Sequence, residues 1–183
     1  ARFFSVSEQK GRMPMPLFAA TVYKRRLTDL TADELRRMGV RGLLLDVDNT
    51  LTPHDDPHVS DAVRRWLSDR AKDGFLLTVV SNNREERVAP FARMIGLPFT
   101  AHARKPLPSG FWRAASSLGL PRGQCLVIGD QIFTDIAGAS LAGMRSVQLL
   151  PIVPEEKQRF IRFKRRLERP ILAHYLKKRG ITL

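Results

Sequence analysis

The sequence predicts an α/β fold, in which a parallel β-sheet carries helices on both faces. Short apolar runs alternate with amphipathic helical segments over residues 42–150, and this alternation favours parallel strands joined by right-handed crossovers. The apolar runs are continuous rather than alternating, which is typical of strands covered on both faces. With 183 residues, 43% of them hydrophobic, the chain can bury a full core.

The helices of the first half are predicted from caps and from apolar spacing. Thr31 and Glu34 form a capping box that opens a short helix, which Gly39 ends. Ser60 caps a second helix, whose apolar residues share one face as far as the stop at Gly74. A third helix is predicted at Arg84–Ile95, with strands at Gly42–Leu45, Phe75–Val80 and Phe99–His102.

The second half of the chain repeats this alternation. Phe111, Ala115 and Leu118 lie on one face of a predicted helix that Gly119 ends. This helix covers Pro108–Leu118, strands are predicted at Cys125–Ile128 and Ser146–Leu150, and another helix covers Asp135–Ala142. The whole pattern therefore describes one sheet with a helix between most pairs of consecutive strands.

Composition and charge limit the class of protein. The single cysteine, Cys125, rules out a disulfide framework, so we expect a protein of the reducing cytoplasm. No apolar stretch approaches the roughly 20 residues of a membrane-spanning helix. The net charge of +13 is concentrated in a basic N-terminal segment, 1–41, which contains a short helix, and in a basic C-terminal segment, 155–183, whereas the predicted core, 42–154, is nearly neutral. We expect this charge to attract polyanions beside the core, although a solvated charged face is the simpler interpretation.

Polar side chains follow the predicted strands at their carboxyl ends. Asp46 and Asp48 come directly after the first apolar run, Ser81 follows the second, and Asp130 follows a later one. Because the carboxyl ends of parallel strands meet at one edge, where ligands bind, we expect these side chains to converge. Together with the ammonium group of Lys105, they are suited to holding a divalent metal and attacking a phosphate.

Four motifs built from these residues resemble those of the haloacid dehalogenase (HAD) superfamily, in the same order. They are Leu45–Leu51, Val80–Asn83, Ala103–Pro106 and Ile128–Gln131. The chain more closely resembles the YqeG-like class IIIA phosphatases, a branch that is similar to the mitochondrial phosphatidylglycerophosphate phosphatases. The resemblance implies a HAD-type Rossmann-like sheet and an Mg²⁺-dependent phosphomonoesterase, acting on phosphatidylglycerophosphate or a related anionic lipid.

The resemblance also implies catalytic roles for individual residues. Asp46 is the expected nucleophile, which forms an aspartyl-phosphate, and Asp48 is the expected general acid and base. Ser81, Asn82 and Lys105 are expected to bind phosphate oxygens and to stabilise the charge of the transition state.

One Mg²⁺ ion is implied as the cofactor. Its expected protein ligands are one Asp46 oxygen, the Asp48 carbonyl and Asp130, with water completing an octahedron. Asp135 is expected to support this site by pairing with Lys105 rather than by binding the metal.

The intervals between the motifs leave no room for a large cap domain. Thr50 and Ser81 are separated by a loop and one helix, and Ser81 and Lys105 by a helix and a short strand. We therefore expect an open site, suited to a lipid headgroup in a bilayer, a phosphoprotein or a nucleic-acid end. The loop at His54–His58 is expected to line the substrate site rather than to hold a structural metal.

The C-terminal segment Glu155–Arg179 leaves two interpretations open. Its apolar residues interleave with ten basic ones, so it could lie peripherally on the inner face of an anionic membrane or pack its apolar side on the sheet. We expect Pro170 to break or kink its helix, and Lys164–Arg166 to meet lipid without touching the catalytic residues. The alternatives to lipid are a phosphatase for a protein or nucleic-acid phosphate, and an RNA- or ribosome-associated binding protein.

Overall fold

A six-stranded parallel sheet forms the centre of the computed structural model, which describes residues 16–54, 56–153 and 159–182. Its strands β1 to β6 are Val22–Lys24, Gly42–Leu45, Leu76–Val80, Phe99–Thr100, Cys125–Gly129 and Arg145–Leu149. Their order across the sheet is β1-β6-β5-β2-β3-β4, and every pairing is parallel. The predicted α/β fold is confirmed.

Two of the described helices, α1 and α2, begin where the sequence places their caps. The helices α1 to α6 are Ala32–Arg37, Asp61–Lys72, Glu85–Met94, Pro108–Ser117, Ala137–Ala142 and Arg159–Lys178. Thr31 and Glu34 form the reciprocal hydrogen bonds of a capping box at the start of α1. Ser60 Oγ accepts from the Val63 N–H at 3.4 Å at the start of α2. Local side-chain chemistry therefore sets these two helix starts.

The sheet buries apolar side chains on both faces. Leu43 and Leu45 of β2 belong to one core cluster, in which Trp66 of α2 also packs. Leu44, which points to the opposite face, packs in a second cluster with Phe111 of α4. Each of these three leucines is fully buried, which stabilises the fold by roughly 1.5–3 kcal/mol per side chain. Helices therefore cover both faces, and the continuous apolar run of β2 is explained.

No cap domain is inserted between the site motifs in the described part of the chain. Between Thr50 and Ser81 the structure contains one helix, α2, and between Ser81 and Lys105 it contains α3 and β4. Both intervals therefore contain the small elements predicted for them, and β4 is two residues shorter than predicted.

Strand β1 was not predicted from the sequence. Val22–Lys24 pairs in parallel with β6, and Tyr23 between them is only 5% exposed. The strand is three residues long and runs directly into Arg25 and Arg26, so no apolar run marks it. Part of the basic N-terminal segment therefore completes the sheet.

Helix α6 continues through Pro170, so the expected break is absent. Proline removes one backbone donor, but Pro170 and Arg166 lie on an exposed side of the helix, where water can bind the freed carbonyl. Beyond the proline, Leu172 and Leu176 pack in a cluster with the buried Tyr23. This packing holds the helix on the domain and supports the interpretation that its apolar side faces a core.

Candidate active site

Three of the side chains that the sequence predicts to converge lie at the carboxyl ends of β2, β3 and β5. Asp46 follows β2, Ser81 follows β3 and Asp130 follows β5, and all three are buried. Because β2 lies between β3 and β5 in the sheet, these strand ends are neighbours. Lys105 reaches the same place from the loop between β4 and α4.

Lys105 lies between two carboxylates. Its Nζ donates to Asp46 Oδ1 and, at 2.7 Å, to Asp135 Oδ1, with only 4% of the lysine side chain exposed. Burial alone would lower the pKa of Lys105, but the carboxylates of Asp135 and Asp46 outweigh it and raise that pKa above its ordinary value. Lys105 is therefore a fixed positive charge at Asp46.

Asn82 holds the backbone from which Lys105 projects. The Lys105 N–H donates to Asn82 Oδ1 at 2.6 Å, and Asn82 Nδ2 donates to the Lys105 carbonyl at 3.1 Å. The sequence analysis assigned Asn82 to phosphate binding and did not predict this contact. The side chain has a positioning role, and its contact with phosphate stays a prediction.

Asp46, Asp130 and Asp135 form a cluster of buried carboxylates, with one oxygen from each lying within 4.8 Å of the others. Burial raises the pKa of Asp46 to about 7, against the opposing effect of Lys105. Burial also raises the pKa of Asp130 well above its usual range, although Arg165 opposes this shift. An oxygen-only donor set whose members repel one another fits a hard divalent cation such as Mg²⁺.

The Asp48 carboxylate is not part of that cluster and contacts another set of donors. Asn83 Nδ2 donates to its Oδ2 at 2.8 Å, and an Arg87 guanidinium nitrogen donates to its Oδ1 at 2.9 Å. His54 Nδ1 lies 3.5 Å from the same Oδ1. These three contacts fix the orientation of the carboxylate. The sequence analysis missed Asn83 and Arg87 as site residues; Arg87 lies in the first turn of α3, just after the strand-end residues Ser81–Asn83.

A cavity of about 330 Å³ opens beside Asp48 and Ser81. Asp56 and Pro57 line it, so the loop at His54–His58 faces the cavity, whereas the His58 side chain is 87% exposed. Its other lining residues are Val47, Thr52, Asn83, Arg87, Val88, Pro90 and Phe91. The cavity therefore lies beside two of the residues that the sequence analysis assigned to the site, Asp48 and Ser81.

Arg165 of α6 contacts Asp130, so the expectation that Lys164–Arg166 lie apart from the strand-end residues is wrong for Arg165. Its guanidinium donates to Asp130 Oδ2 and, at 2.7 Å, to the Asp130 carbonyl. A further ion pair of 3.1 Å joins it to Glu168, which is buried. Lys164 Nζ donates to Gln131 Oε1 at 3.0 Å. In the sequence, the available signal for the buried pair of Arg165 and Glu168 was a single acid within a basic run, three residues after Arg165.

Gly129 allows Asp135 to approach β5. A Cβ at Gly129 would lie 2.4 Å from Asp135 Cγ. The chain then turns through a π-helical turn at Ile132–Ile136, so the helical segment predicted to begin at Asp135 begins three residues earlier. The Gln131 N–H donates to Asp135 Oδ2 at 3.1 Å within this turn. The tight turn therefore aims Asp135 at Lys105.

The chain is similar in sequence to a hydrolase family and to proteins that are named as phosphatases. A family model described as HAD-hydrolase-like matches residues 102–151. The probable phosphatase YqeG of Bacillus subtilis is 35% identical over 164 residues, which cover 89% of this chain and 94% of that protein. The chloroplastic phosphatidylglycerophosphate phosphatase 1 of Chlamydomonas reinhardtii is 25% identical over 175 residues, which cover 91% of this chain and 64% of that protein.

A solved structure has the same fold. An uncharacterised protein from Listeria monocytogenes serotype 4b superimposes with a TM-score of 0.53 at 17% sequence identity. The match covers 65% of this chain and 85% of that one. At this identity the likeness extends to the fold alone.

Proposed function

The chain belongs to the YqeG-like phosphatases of the HAD superfamily, and from that membership we propose that it hydrolyses phosphomonoesters through an aspartyl-phosphate on Asp46. The observation that carries the proposal is the contact between the buried Asp46 and the Lys105 ammonium group. A carboxylate nucleophile must be ionised, and the adjacent positive charge favours the ionised form. The same charge would attract the phosphate that Asp46 attacks.

The proposed reaction has two steps, in which Asp46 and Asp48 have different roles. An Asp46 oxygen forms a bond to phosphorus while the ester P–O bond breaks, and Asp48 gives a proton to the departing oxygen. Asp48 then removes a proton from water, which attacks phosphorus, releases inorganic phosphate and restores the Asp46 carboxylate. The hydrogen bonds from Asn83 and Arg87 orient Asp48 for both steps.

The remaining site residues would bind phosphate and the metal. Ser81, Asn82 and Lys105 would donate to phosphate oxygens, with Asp135 holding Lys105 in place. Asp46, the Asp48 carbonyl and Asp130 would hold Mg²⁺. When bound, this ion neutralises charge on the phosphate as a Lewis acid.

We propose a phosphomonoester of an anionic glycerophospholipid as the substrate, with phosphatidylglycerophosphate as the leading example. The name of the Chlamydomonas relative supports this choice, and so does the absence of a cap over the site in the described residues. The basic helix α6 beside Asp130 suits an anionic surface. None of the described helices combines the length and the apolar character needed to cross a bilayer.

A parallel substrate screen tests the proposal. Phosphatidylglycerophosphate in vesicles, p-nitrophenyl phosphate, a phosphopeptide and oligonucleotides with a 3′- or 5′-phosphate are compared with Mg²⁺ present, using Asp46→Asn protein as the inactive control. We expect the highest kcat/KM for the lipid. A preference for the peptide or an oligonucleotide would overturn the lipid substrate, and no phosphate release above the control would overturn the reaction itself.

A further inference from the structure

A second cavity, of about 740 Å³, lies between α6 and the residues that follow β6. It shares no lining residue with the cavity at Asp48. One member of the carboxylate cluster, Asp130, lines it. Its apolar lining is Ile132, Leu149, Leu150, Pro151 and Leu172, and its charged lining is Asp130, Glu168, Arg162, Arg165, Arg166 and Arg169. Its volume lies in the range of small-ligand sites, roughly 300–1,000 Å³.

The four arginines of this cavity form a row on one face of α6. Arg162, Arg165, Arg166 and Arg169 follow the spacing of residues that share a helix face. Arg165 pairs with both acids of the lining. The other three form no hydrogen bond or ion pair with any residue in the ranges 16–54, 56–153 and 159–182. The cavity therefore has an excess of positive charge, which an anion would neutralise.

One polar atom of the row also lacks an acceptor. Arg165 Nε is buried and has no hydrogen-bond partner among the described residues. A buried donor without a partner is costly, by about 1–3 kcal/mol, unless an acceptor reaches it.

Exposed apolar side chains accompany the arginine row. Phe163 and Leu167, four residues apart on α6, are 59% and 47% exposed. Ile152 and Val153, which directly follow the cavity-lining Pro151, are 48% and 46% exposed. An arginine row beside exposed apolar residues is typical of a surface that enters the headgroup region of a bilayer. Three of the four are aliphatic, which favours lipid over RNA because bases stack on rings.

We propose that this cavity binds the phosphodiester headgroup of an anionic glycerophospholipid, with the acyl chains along Phe163 and Leu167. The role of this site in catalysis rests on the proposed function. Docking would hold the reaction centre at the lipid surface, because Asp130 lines the cavity and also belongs to the carboxylate cluster. The binding itself requires no turnover.

Vesicle co-sedimentation tests the site, using phosphatidylglycerol vesicles against phosphatidylcholine vesicles. The test variant carries Arg162→Gln, Arg166→Gln and Arg169→Gln, and circular dichroism and Tm check that it is folded. We expect about a 100-fold loss of affinity for phosphatidylglycerol, since each cation near an anionic surface contributes roughly fivefold. Wild-type binding should fall with added salt.

A matched control distinguishes binding at this site from a general effect of net charge on vesicle affinity. The control carries Arg65→Gln, Lys72→Gln and Arg93→Gln, which removes the same charge from exposed positions on α2 and α3. We expect its vesicle affinity to stay within about threefold of wild type and its p-nitrophenyl phosphate hydrolysis to be unchanged. Equal losses in both triple variants would overturn a specific site.

Two further measurements complete the test. Phe163→Ser with Leu167→Ser keeps every charge, and we expect about a tenfold loss of binding because two apolar side chains that would enter the bilayer are removed. Unchanged binding would overturn the placement of the acyl chains. Asp46→Asn protein should bind vesicles like wild type, so docking and catalysis can fail separately. The proposal of a lipid ligand would be overturned if wild-type protein did not bind phosphatidylglycerol vesicles but bound labelled RNA through the arginine row.

Discussion

Arg165 in the C-terminal helix pairs with Asp130 at the end of β5, 35 residues earlier in the chain. The Asp130 side chain is fully buried, and 15% of the Arg165 side chain is exposed. The pair joins the cluster of buried carboxylates to the helix that carries the arginine row. Loss of either partner would leave a buried charge without its counterion.

We expect Arg165→Met to lower the free energy of unfolding by about 3 kcal/mol, because Asp130 would be buried without its cation. Urea unfolding with EDTA present measures the change, and Arg166→Met serves as the exposed control. With Mg²⁺ present the deficit should shrink, since a bound metal would compensate the charge on Asp130. Equal stability of the two variants in EDTA would contradict the importance of the pair.

Mg²⁺ should bind the carboxylate cluster and stabilise the folded protein, because a ligand that binds the native state raises the free energy of unfolding. Isothermal titration calorimetry should detect binding to wild type and to Asp69→Ala, which alters an exposed acid on α2. Asp130→Ala should lose at least about tenfold in affinity. EDTA should suppress phosphatase activity, and added Mg²⁺ should restore it. Undiminished Mg²⁺ affinity in Asp130→Ala would exclude that residue as a ligand.

Gly129→Ala should abolish activity, because the new Cβ would meet Asp135 Cγ at 2.4 Å and displace the partner of Lys105. We expect a loss of stability of about 1–3 kcal/mol from the same overpacking. Gly123→Ala is the matched control, since a Cβ there meets nothing within 4 Å. Steady-state kinetics and urea unfolding compare the two variants. A fully active Gly129→Ala enzyme would show that the position of Asp135 does not matter.

Cys125 should resist alkylation in the folded protein. Burial raises the pKa of its thiol to about 11, so the reactive thiolate is scarce at about pH 8. We expect iodoacetamide to label the native protein at least about 100-fold more slowly than the protein in concentrated urea. Mass spectrometry of timed samples measures both rates, and similar rates would mean that the β5 region opens readily.

The same thiol should make stability depend on pH in the alkaline range. Its pKa is about 8.5 in an unfolded chain and about 11 in the fold, so between these values the unfolded state binds fewer protons. The contribution of Cys125 to stability is therefore fully present below about pH 8.5 and falls as pH rises. Urea unfolding of wild type and Cys125→Ala across this range isolates the contribution, because the other titrating groups are common to both.

Much of the fold and of the candidate site could be predicted from local sequence. Asp46, Ser81 and Asp130 each follow a buried apolar run, and parallel strands deliver their carboxyl ends to one edge. The helix starts at Thr31 and Ser60 depend on hydrogen bonds within a few residues. Such features are encoded in short stretches of chain, where side-chain chemistry and periodicity act directly.

Only the tertiary structure decided how distant segments complete the site. The pairing of Val22–Lys24 with β6 and the contact of Arg165 with Asp130 join positions far apart in the sequence, and no short-range pattern identifies the distant partner in either case. Helix α6 passes through Pro170 because packing against Tyr23 outweighs one lost hydrogen bond. The sequence by itself therefore determined strands β2 to β6, most of the helices and the acids at the edge of the sheet. Packing across the chain decided which basic side chains meet those acids, because burial and ion pairing depend on three-dimensional neighbours.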